Sequence, residues 1–230
     1  MKKVKYYLIF LVFLIGLPVF SQPKKSPDLQ KPSLENSFEG KIDFVWEKYQ
    51  DTTNYSYIVK GRKVRLETYD NCSCKKPNWI IFDLDAGTIT AFEASRKIYK
   101  NILTKKYIKE PSEDFKIIAG DNVRNTKYIN GYKCYQWRVK NVKENSEVAF
   151  WVAFDNFNFF TDFLKLWNRR EKHARYFLQI PNTTGYFPML SVERTVLREV
   201  KQRLKVTKIT KKPIPDSMFE IPKGFVNYDN

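Results

Sequence analysis

Three cysteines carry the most specific chemistry in this sequence. Cys72 and Cys74 flank one serine in a polar turn, and Cys134 follows much later in a predicted strand. In an oxidising compartment such residues pair as disulfides, so we expect Cys134 to bridge to Cys72 or Cys74, with one thiol left over. The alternative is a redox-active Cys-x-Cys pair, whose thiol pKa the two following lysines would lower.

No other set of residues resembles a catalytic or metal site. His173 is the only histidine, and its immediate neighbours are two cations and an alanine, so we predict an exposed side chain. Its spacing from the cysteines matches no common zinc pattern. Asp83 and Asp85 precede Gly87, which favours a turn-stabilising role over acid–base catalysis. Because nucleophile elbows, phosphate-binding loops and HExxH motifs are also absent, the sequence predicts no enzyme activity, no metal and no cofactor.

The strongly basic composition and the amino-terminal segment point to different partners. The chain has 230 residues, 41 Lys plus Arg and a net charge of +16, a balance that is typical of nucleic-acid-binding proteins. Residues 1–21, however, combine lysines, an apolar run and a small-residue end, which is the pattern of a secretory signal peptide. The run is shorter than the roughly 20 residues that span a bilayer. We predict cleavage after Ser21 and export, most simply to the periplasm of a Gram-negative-type envelope or otherwise to the outside, which excludes nucleic acid as a partner.

The mature chain divides into an arm and one domain. Residues 22–37 are rich in Pro, Lys and Ser and contain few apolar side chains, so they cannot offset the entropy of ordering. We predict a flexible arm there. The remaining residues, 38–228, are expected to form a single domain, a size that one sheet or barrel accommodates.

Alternation of apolar and polar residues dominates this domain. It recurs over residues 38–49, 79–84, 88–93, 97–102, 132–140 and 147–155, and over a predicted hairpin at 55–60 and 63–69. A period of two indicates strands with one buried face, and short turns between neighbours favour an antiparallel meander. The sequence therefore predicts a mostly antiparallel α+β domain.

Helical spacing is rarer. From Asn156, a predicted N-cap, apolar residues recur at helical intervals to about residue 175 or 177, which predicts one long helix. A second, weaker helix is predicted over residues 112–118. Residues 191–209 fit either a helix or a strand, because valines recur every four residues while the later part alternates.

Several segments of the sequence resemble an uncharacterised family of exported bacterial proteins. This family is similar in fold to the LolA and LolB outer-membrane lipoprotein carriers. The segments are FEGKI at 38–42, YIVKGRKVRLE at 57–67, IIFDLD at 80–85, INGYKC at 129–134, FWV at 150–152, YFP at 186–188 and IPDSMFEIPKGF at 214–225. The resemblance implies a strongly curved half-barrel sheet with one long and one or two short helices on its concave side. It also implies that residues 191–209 form a hairpin, although no Gly or Asn marks the turn.

The resemblance implies a hydrophobic ligand, such as a lipid or a lipoprotein acyl chain, in the hollow of the sheet. We expect the lining to come from Phe44, Trp46, Phe150, Phe160, Phe163, Leu164 and Trp167. The alternative is a ligand-free structural or envelope-interaction domain whose aromatic side chains fill the hollow.

Basic residues concentrate near the carboxyl terminus. They are Arg194, Arg198, Lys201, Arg203, Lys205, Lys208, Lys211 and Lys212. Such charges suit an anionic membrane surface. They are equally typical of an exposed or edge strand that must not pair with another sheet.

Overall fold

The structure, a computed structural model, describes residues 37–69, 77–121 and 124–229. The predicted signal peptide, most of the predicted arm, Cys72 and Cys74 lie outside the described residues. Within them, the alternating segments form thirteen strands. In chain order these are β1 (Glu39–Lys48), β2 (Asp51–Lys60), β3 (Lys63–Tyr69), β4 (Asn78–Asp83), β5 (Thr88–Glu93), β6 (Ile98–Ile102), β7 (Phe115–Ile118), β8 (Thr126–Ile129), β9 (Tyr132–Asn141), β10 (Ser146–Phe154), β11 (Tyr186–Thr195), β12 (Val200–Lys211) and β13 (Val226–Asn227).

The strands form one open sheet in the order β13-β6-β5-β4-β3-β2-β1-β12-β11-β10-β9-β7, with β8 also paired to β9. Every pair is antiparallel except β13 with β6. Two meanders, β1 to β6 and β9 to β12, meet where β1 pairs with β12. The prediction of a mostly antiparallel sheet is confirmed.

The turn between β4 and β5 shows why these residues reverse the chain. Asp83 accepts hydrogen bonds at Oδ1 from the backbone N–H groups of Asp85 (3.1 Å) and Ala86 (2.9 Å). Gly87 then adopts a φ of +66°, which glycine reaches without steric cost. The predicted turn-stabilising role of Asp83 is confirmed.

The single long helix predicted from Asn156 is wrong. The chain forms two short helices, α1 (Phe159–Trp167) and α2 (Lys172–Phe177). Asn168 ends α1 in the left-handed conformation (φ 49°), while its N–H still donates to the carbonyl of Leu164. Helical spacing continues across residues 168–171, but the backbone does not, because one left-handed residue redirects the axis.

Two further local predictions are wrong. Asn156 is not the N-cap, since it has a φ of 52° and α1 begins after Asn158. The helix predicted over residues 112–118 is only a 3₁₀ turn, Ser112–Asp114, followed by strand β7. Strand β7 pairs with β9, and this tertiary pairing overrides a weak local preference for helix.

Residues 191–209 lie within a hairpin, as the resemblance implied. Thr195 organises its turn: the carbonyl accepts from the N–H of Arg198 (3.0 Å) and Oγ1 accepts from the N–H of Glu199 (3.2 Å). Arg198 takes the positive φ of 65° that a glycine or asparagine would ordinarily supply. Strand β12 lies between β1 and β11, so its cations do not protect a sheet edge, and that part of the interpretation is wrong. Four of its five cations are nevertheless exposed, as expected for a solvent-facing strand: Arg203, Lys205, Lys208 and Lys211.

Buried side chains form clusters on both faces of the sheet. The larger one lies between the sheet and the two helices and includes Phe82, Phe150 and Phe163. We call this the inner face. A smaller cluster on the opposite, outer face consists of Trp79, Ile81 and Phe92, with Tyr99, Phe219 and Phe225 packed against them. The inner face carries the predicted lining residues.

Candidate functional site

A cavity of about 330 Å³ lies on the inner face between the sheet and the helices. Its volume is at the lower end of the range for small-molecule sites, about 300 to 1,000 Å³. The structure brings six of the seven predicted lining residues together around it. They are Phe44, Trp46, Phe150, Phe160, Leu164 and Trp167.

Phe163, the seventh predicted residue, lies in the packing between α1 and the sheet and is fully buried. Its ring centroid lies 4.8 Å from that of Phe82 and 5.2 Å from that of Tyr57, both with edge-to-face geometry. The ring of Trp167 lies 5.3 Å away. Phe163 therefore fixes α1 on the sheet, and its neighbours on the helix line the cavity.

The sheet residues of the cavity are cross-strand neighbours. Phe44 of β1 pairs with Tyr55 of β2, and their rings stack at 5.3 Å. On the other side, Ser191 of β11 pairs with both Phe150 and Leu204. Since side chains on one face of adjacent strands stand within contact distance, strand pairing brings together residues that are far apart in sequence.

The cavity also requires the sheet to curve. Ile80 of β4 and Phe150 of β10 both line it, although six strand-to-strand steps separate them. At about 4.8 Å per step, a flat sheet would hold these strands about 29 Å apart. We infer that the sheet bends around the cavity, with α1 and α2 on its concave side.

The break between the helices leaves two charged residues at the cavity. Arg169 and Glu171 are exposed, and both contribute to the lining. The guanidinium of Arg169 lies 5.0 Å from the ring centroid of Trp167, in a cation–π contact. The site therefore has an apolar interior and a charged mouth.

The prediction that His173 is exposed is wrong. The side chain is only 6% exposed and lines the cavity. Among the described residues, neither ring nitrogen has a hydrogen-bond partner. Burial lowers the pKa of His173 to about 3, so the imidazole is neutral at physiological pH.

A sequence signal for this burial was present. Tyr176 and Phe177 follow His173 by three and four positions, and Ile180 follows them by four and three, which is the i, i+3, i+4, i+7 pattern of one helical side; all four are buried. The two cations next to His173 lie on other sides of the short helix. Adjacent charges therefore say little about the face that a helical residue occupies.

A charged network lies beside the cavity. Lys172 contacts Glu144 (3.0 Å) and Glu193 (3.8 Å) and donates to Ser146 (2.8 Å). Although burial opposes it, hydrogen bonds from Arg175 and Lys172 lower the pKa of Glu144.

The cavity-lining residue Trp46 is linked to this network through Gln202. Its Nε1 donates to the side-chain oxygen of Gln202 (3.0 Å), and Gln202 in turn donates to the buried carboxylate of Glu193. Every member has a polar partner, which suits a role in fixing α2 on the sheet.

The described residues offer no assembled catalytic group. Cys134 is a buried, free thiol whose Sγ contacts the carbonyl of Tyr132, and burial raises its pKa to about 11. A thiol with that pKa is a poor nucleophile at neutral pH. Among the described residues, the structure thus has no disulfide at Cys134. Its two predicted partners, Cys72 and Cys74, lie outside the described residues, so their pairing stays a prediction. In the part of the chain that the structure describes, no group of three His, Cys, Asp or Glu side chains could hold a metal ion.

Taken together, an open antiparallel sheet, two short helices and an apolar cavity between them define the class of this protein as a β-sheet domain with a helix-covered hollow. The chain belongs to the DUF4412 family, described as a domain of unknown function, which matches residues 38–225. No curated protein matches the sequence. Within the described residues, no helix has both the length and the apolar character needed to cross a membrane.

Several solved structures are similar to this chain at low sequence identity. An uncharacterised conserved protein from Thermus thermophilus is 8% identical, with a TM-score of 0.50, and the match covers 83% of this chain and 91% of that one. MucB in the Pseudomonas aeruginosa MucA/MucB complex is 12% identical with a TM-score of 0.44, covering 81% of this chain and 56% of that one. A domain assigned to outer membrane lipoprotein sorting, from Vibrio parahaemolyticus, is 5% identical with a TM-score of 0.20, covering 78% and 87%. The first likeness supports the fold and no particular function.

Proposed function

We propose that this protein is an exported, non-enzymatic binding protein that holds a lipid, a lipoprotein acyl chain or another hydrophobic ligand in the hollow of its sheet. The proposal includes the half-barrel architecture of the LolA type and a periplasmic location. The cavity is the main support for this proposal. The chain contains eighteen phenylalanines, yet an apolar hollow remains unfilled between the helices and the sheet.

The lining supports an apolar ligand. Most of the side chains around the cavity are aromatic or aliphatic, including Phe44, Phe150 and Leu164. Each methylene transferred from water into such a site contributes about 0.8 kcal/mol. A short alkyl chain alone would therefore bind measurably if the hollow admits it.

The charge distribution supports an orientation for the ligand. His173 is neutral and buried, whereas Arg169 and Glu171 are exposed beside the cavity. An alkyl chain can occupy the interior without displacing a charge, and a polar end can remain at the mouth in water. The break at residues 168–171 is the natural entry, because no helix covers the sheet there.

A substitution that fills the hollow tests the proposal. Ala174 lines the cavity from α2, and Ala86 is exposed in the β4–β5 turn. We expect Ala174→Phe to weaken uptake of a fluorescent fatty acid by about tenfold or more, equivalent to about 1.4 kcal/mol, while Ala86→Phe has no effect. Ser191→Leu, which fills the same space from the sheet, should act like Ala174→Phe.

Native mass spectrometry of the gently purified protein provides an independent measurement. A co-purifying lipid in the parent protein that is lost in Ala174→Phe would support the proposal. If the parent protein carries no lipid and takes up no fatty acid, the binding function is excluded, and the ligand-free structural alternative is favoured.

A further inference from the structure

Two neighbouring turns expose apolar side chains at one end of the sheet. The β11–β12 turn presents Val196 and Leu197, Val200 follows them at the start of β12, and the β1–β2 turn presents Tyr49. The N–H of Tyr49 donates to the carbonyl of Lys201 (3.4 Å), so the two turns lie side by side. Leu197 is 80% exposed and Tyr49 is 79% exposed. We call these four residues the hairpin tip.

A basic cleft adjoins the hairpin tip on the outer face. Its volume is about 520 Å³, and its cationic lining consists of Arg138, Lys140, Arg194 and Arg198. Val196 of the hairpin tip lines it too. Side chains alternate between faces along a strand, and Phe150 points to the inner cavity. Glu147, three positions before it, therefore points outward, together with its cross-strand partners Lys140 and Arg194.

The cleft has more cations than carboxylates. Glu147 is its only acid, and Arg138 already binds that carboxylate through both Nη2 contacts, at 2.9 and 2.8 Å. Among the described residues, Lys140, Arg194 and Arg198 form no ion pair. These three cations are therefore free to bind an external anion. Many other basic residues of the chain instead form ion pairs with acidic side chains.

We propose that the hairpin tip and the basic cleft together dock the protein on an anionic lipid bilayer. The cations of the cleft meet lipid phosphates, while Leu197 and Val196 enter the boundary between headgroups and acyl chains. Tyr49 suits that boundary because its ring is apolar and its hydroxyl is polar. A soluble anion would use the cleft but would leave the apolar tip in water, which favours a bilayer as the occupant.

Vesicle co-sedimentation of the protein purified after expression of the full chain tests this docking. The probes are vesicles of phosphatidylethanolamine with phosphatidylglycerol and, for comparison, vesicles of phosphatidylcholine. We expect binding to the anionic vesicles that weakens with added salt, and little binding to phosphatidylcholine. Equal binding to both kinds of vesicle would overturn the proposal.

Charge substitutions locate the surface. The triple variant Lys140→Gln, Arg194→Gln, Arg198→Gln leaves the Arg138–Glu147 pair intact. We expect its partition to fall by about fivefold per cation, hence by about a hundredfold. The matched control replaces three exposed lysines of the segment after β6, Lys105, Lys106 and Lys109, by Gln. An equal loss in the control would mean that net charge alone drives binding, and the proposal would fail.

Two substitutions of exposed leucines distinguish binding to a bilayer from binding to a soluble polyanion. Leu197→Ser should weaken binding to anionic vesicles, whereas Leu103→Ser, at a residue that is 94% exposed in the same control segment, should not. Heparin and inorganic phosphate serve as lipid-free probes. If heparin binds with the same dependence on the three cations and Leu197→Ser leaves vesicle binding unchanged, the cleft is a polyanion site instead. Thermal unfolding of each variant checks that the fold is retained.

Discussion

The two faces of this sheet use aromatic residues in opposite ways. On the outer face, Trp79 stacks on Phe92 at 5.0 Å, and the carboxyl-terminal segment lays Phe225 on both at 5.5 and 5.9 Å. On the inner face, an even larger set of rings leaves a cavity of about 330 Å³. Aromatic content therefore does not decide whether a face is filled.

What covers each face makes the difference. The carboxyl-terminal segment, which contains only a short 3₁₀ turn at Asp216–Phe219, follows the outer surface closely. The carbonyl of Met218, for example, accepts a hydrogen bond from Arg65 (3.1 Å). Helices are stiffer, and α1 and α2 diverge at the left-handed Asn168. The inner face is therefore covered by two helices with a gap at residues 168–171 between them, and this gap leads into the cavity.

The largest expected effect concerns the anchor of α1. Phe163→Ala should lower the free energy of unfolding by about 3 to 5 kcal/mol, because it leaves a void among rings that have no solvent contact. Urea denaturation measures it. Tyr49→Ala, at an exposed turn, is the control and should change the value by less than about 0.5 kcal/mol. A loss below about 1 kcal/mol for Phe163→Ala would show that α1 is held elsewhere.

The second prediction concerns the buried histidine of the inner face. In the unfolded chain His173 binds a proton below about pH 6.5, whereas burial lowers its pKa to about 3 in the folded protein. Stability contributed by the neutral ring is complete above pH 6.5 and declines as the pH falls toward 3, by about 1.4 kcal/mol per pH unit.

Unfolding free energies at pH 7 and pH 5 should accordingly differ by about 2 kcal/mol. His173→Leu should remove most of this difference, since the chain contains one histidine. A parent protein equally stable at both pH values would mean that His173 reaches water, contrary to the described burial.

The third prediction compares one substitution on each face for its effect on fatty-acid uptake. Phe225 on the outer face and Trp167 on the inner face are both half-buried. Phe225→Ala should reduce the free energy of unfolding by about 1 to 2 kcal/mol and leave fatty-acid uptake unchanged. Trp167→Ala should change uptake, because this ring lines the cavity. If both variants alter uptake equally, the proposed ligand does not distinguish the faces.

The smallest effect concerns the gap itself. Asn168→Ala should lower the free energy of unfolding by about 1 kcal/mol, because alanine resists the left-handed conformation that ends α1. Asn168→Gly should be close to neutral in chemical denaturation. Equal costs for the two variants would show that the Asn168 side chain, which donates to the carbonyl of Lys105 (3.3 Å), matters more than the backbone.

The strands of this fold could be predicted because each carries its own pattern. Residues 55–60 and 63–69 alternate, and they pair as the hairpin that the pattern indicates. The helix break could not be predicted, because a left-handed Asn168 leaves helical spacing undisturbed on either side. Strand β7 was also missed, since its pairing with β9 is a tertiary interaction that four residues of sequence do not reveal.

The candidate site was predictable in part for a related reason. Phe44 and Phe150 lie on the apolar faces of their own strands, so each could be chosen locally, but their meeting around one cavity depends on sheet curvature. The apolar stripe of α1 predicts Phe163 in the lining as well, but its side chain lies deeper, in the packing against the sheet. The outer cluster was not predicted, because Phe225 follows no periodic element.

The pairing of β1 with β12 constrains the order in which the molecule can fold. Trp46 and Gln202, which share a hydrogen bond across this pairing, are 156 positions apart in the chain. Contacts of such long sequence separation form slowly, because loop-closure entropy opposes them until most of the intervening chain is arranged. The strands of each meander can pair locally, but the two meanders join only when β12 pairs with β1. Until that step the two halves of the hollow are unconnected, so the capacity to hold a ligand arises last, together with the completed sheet.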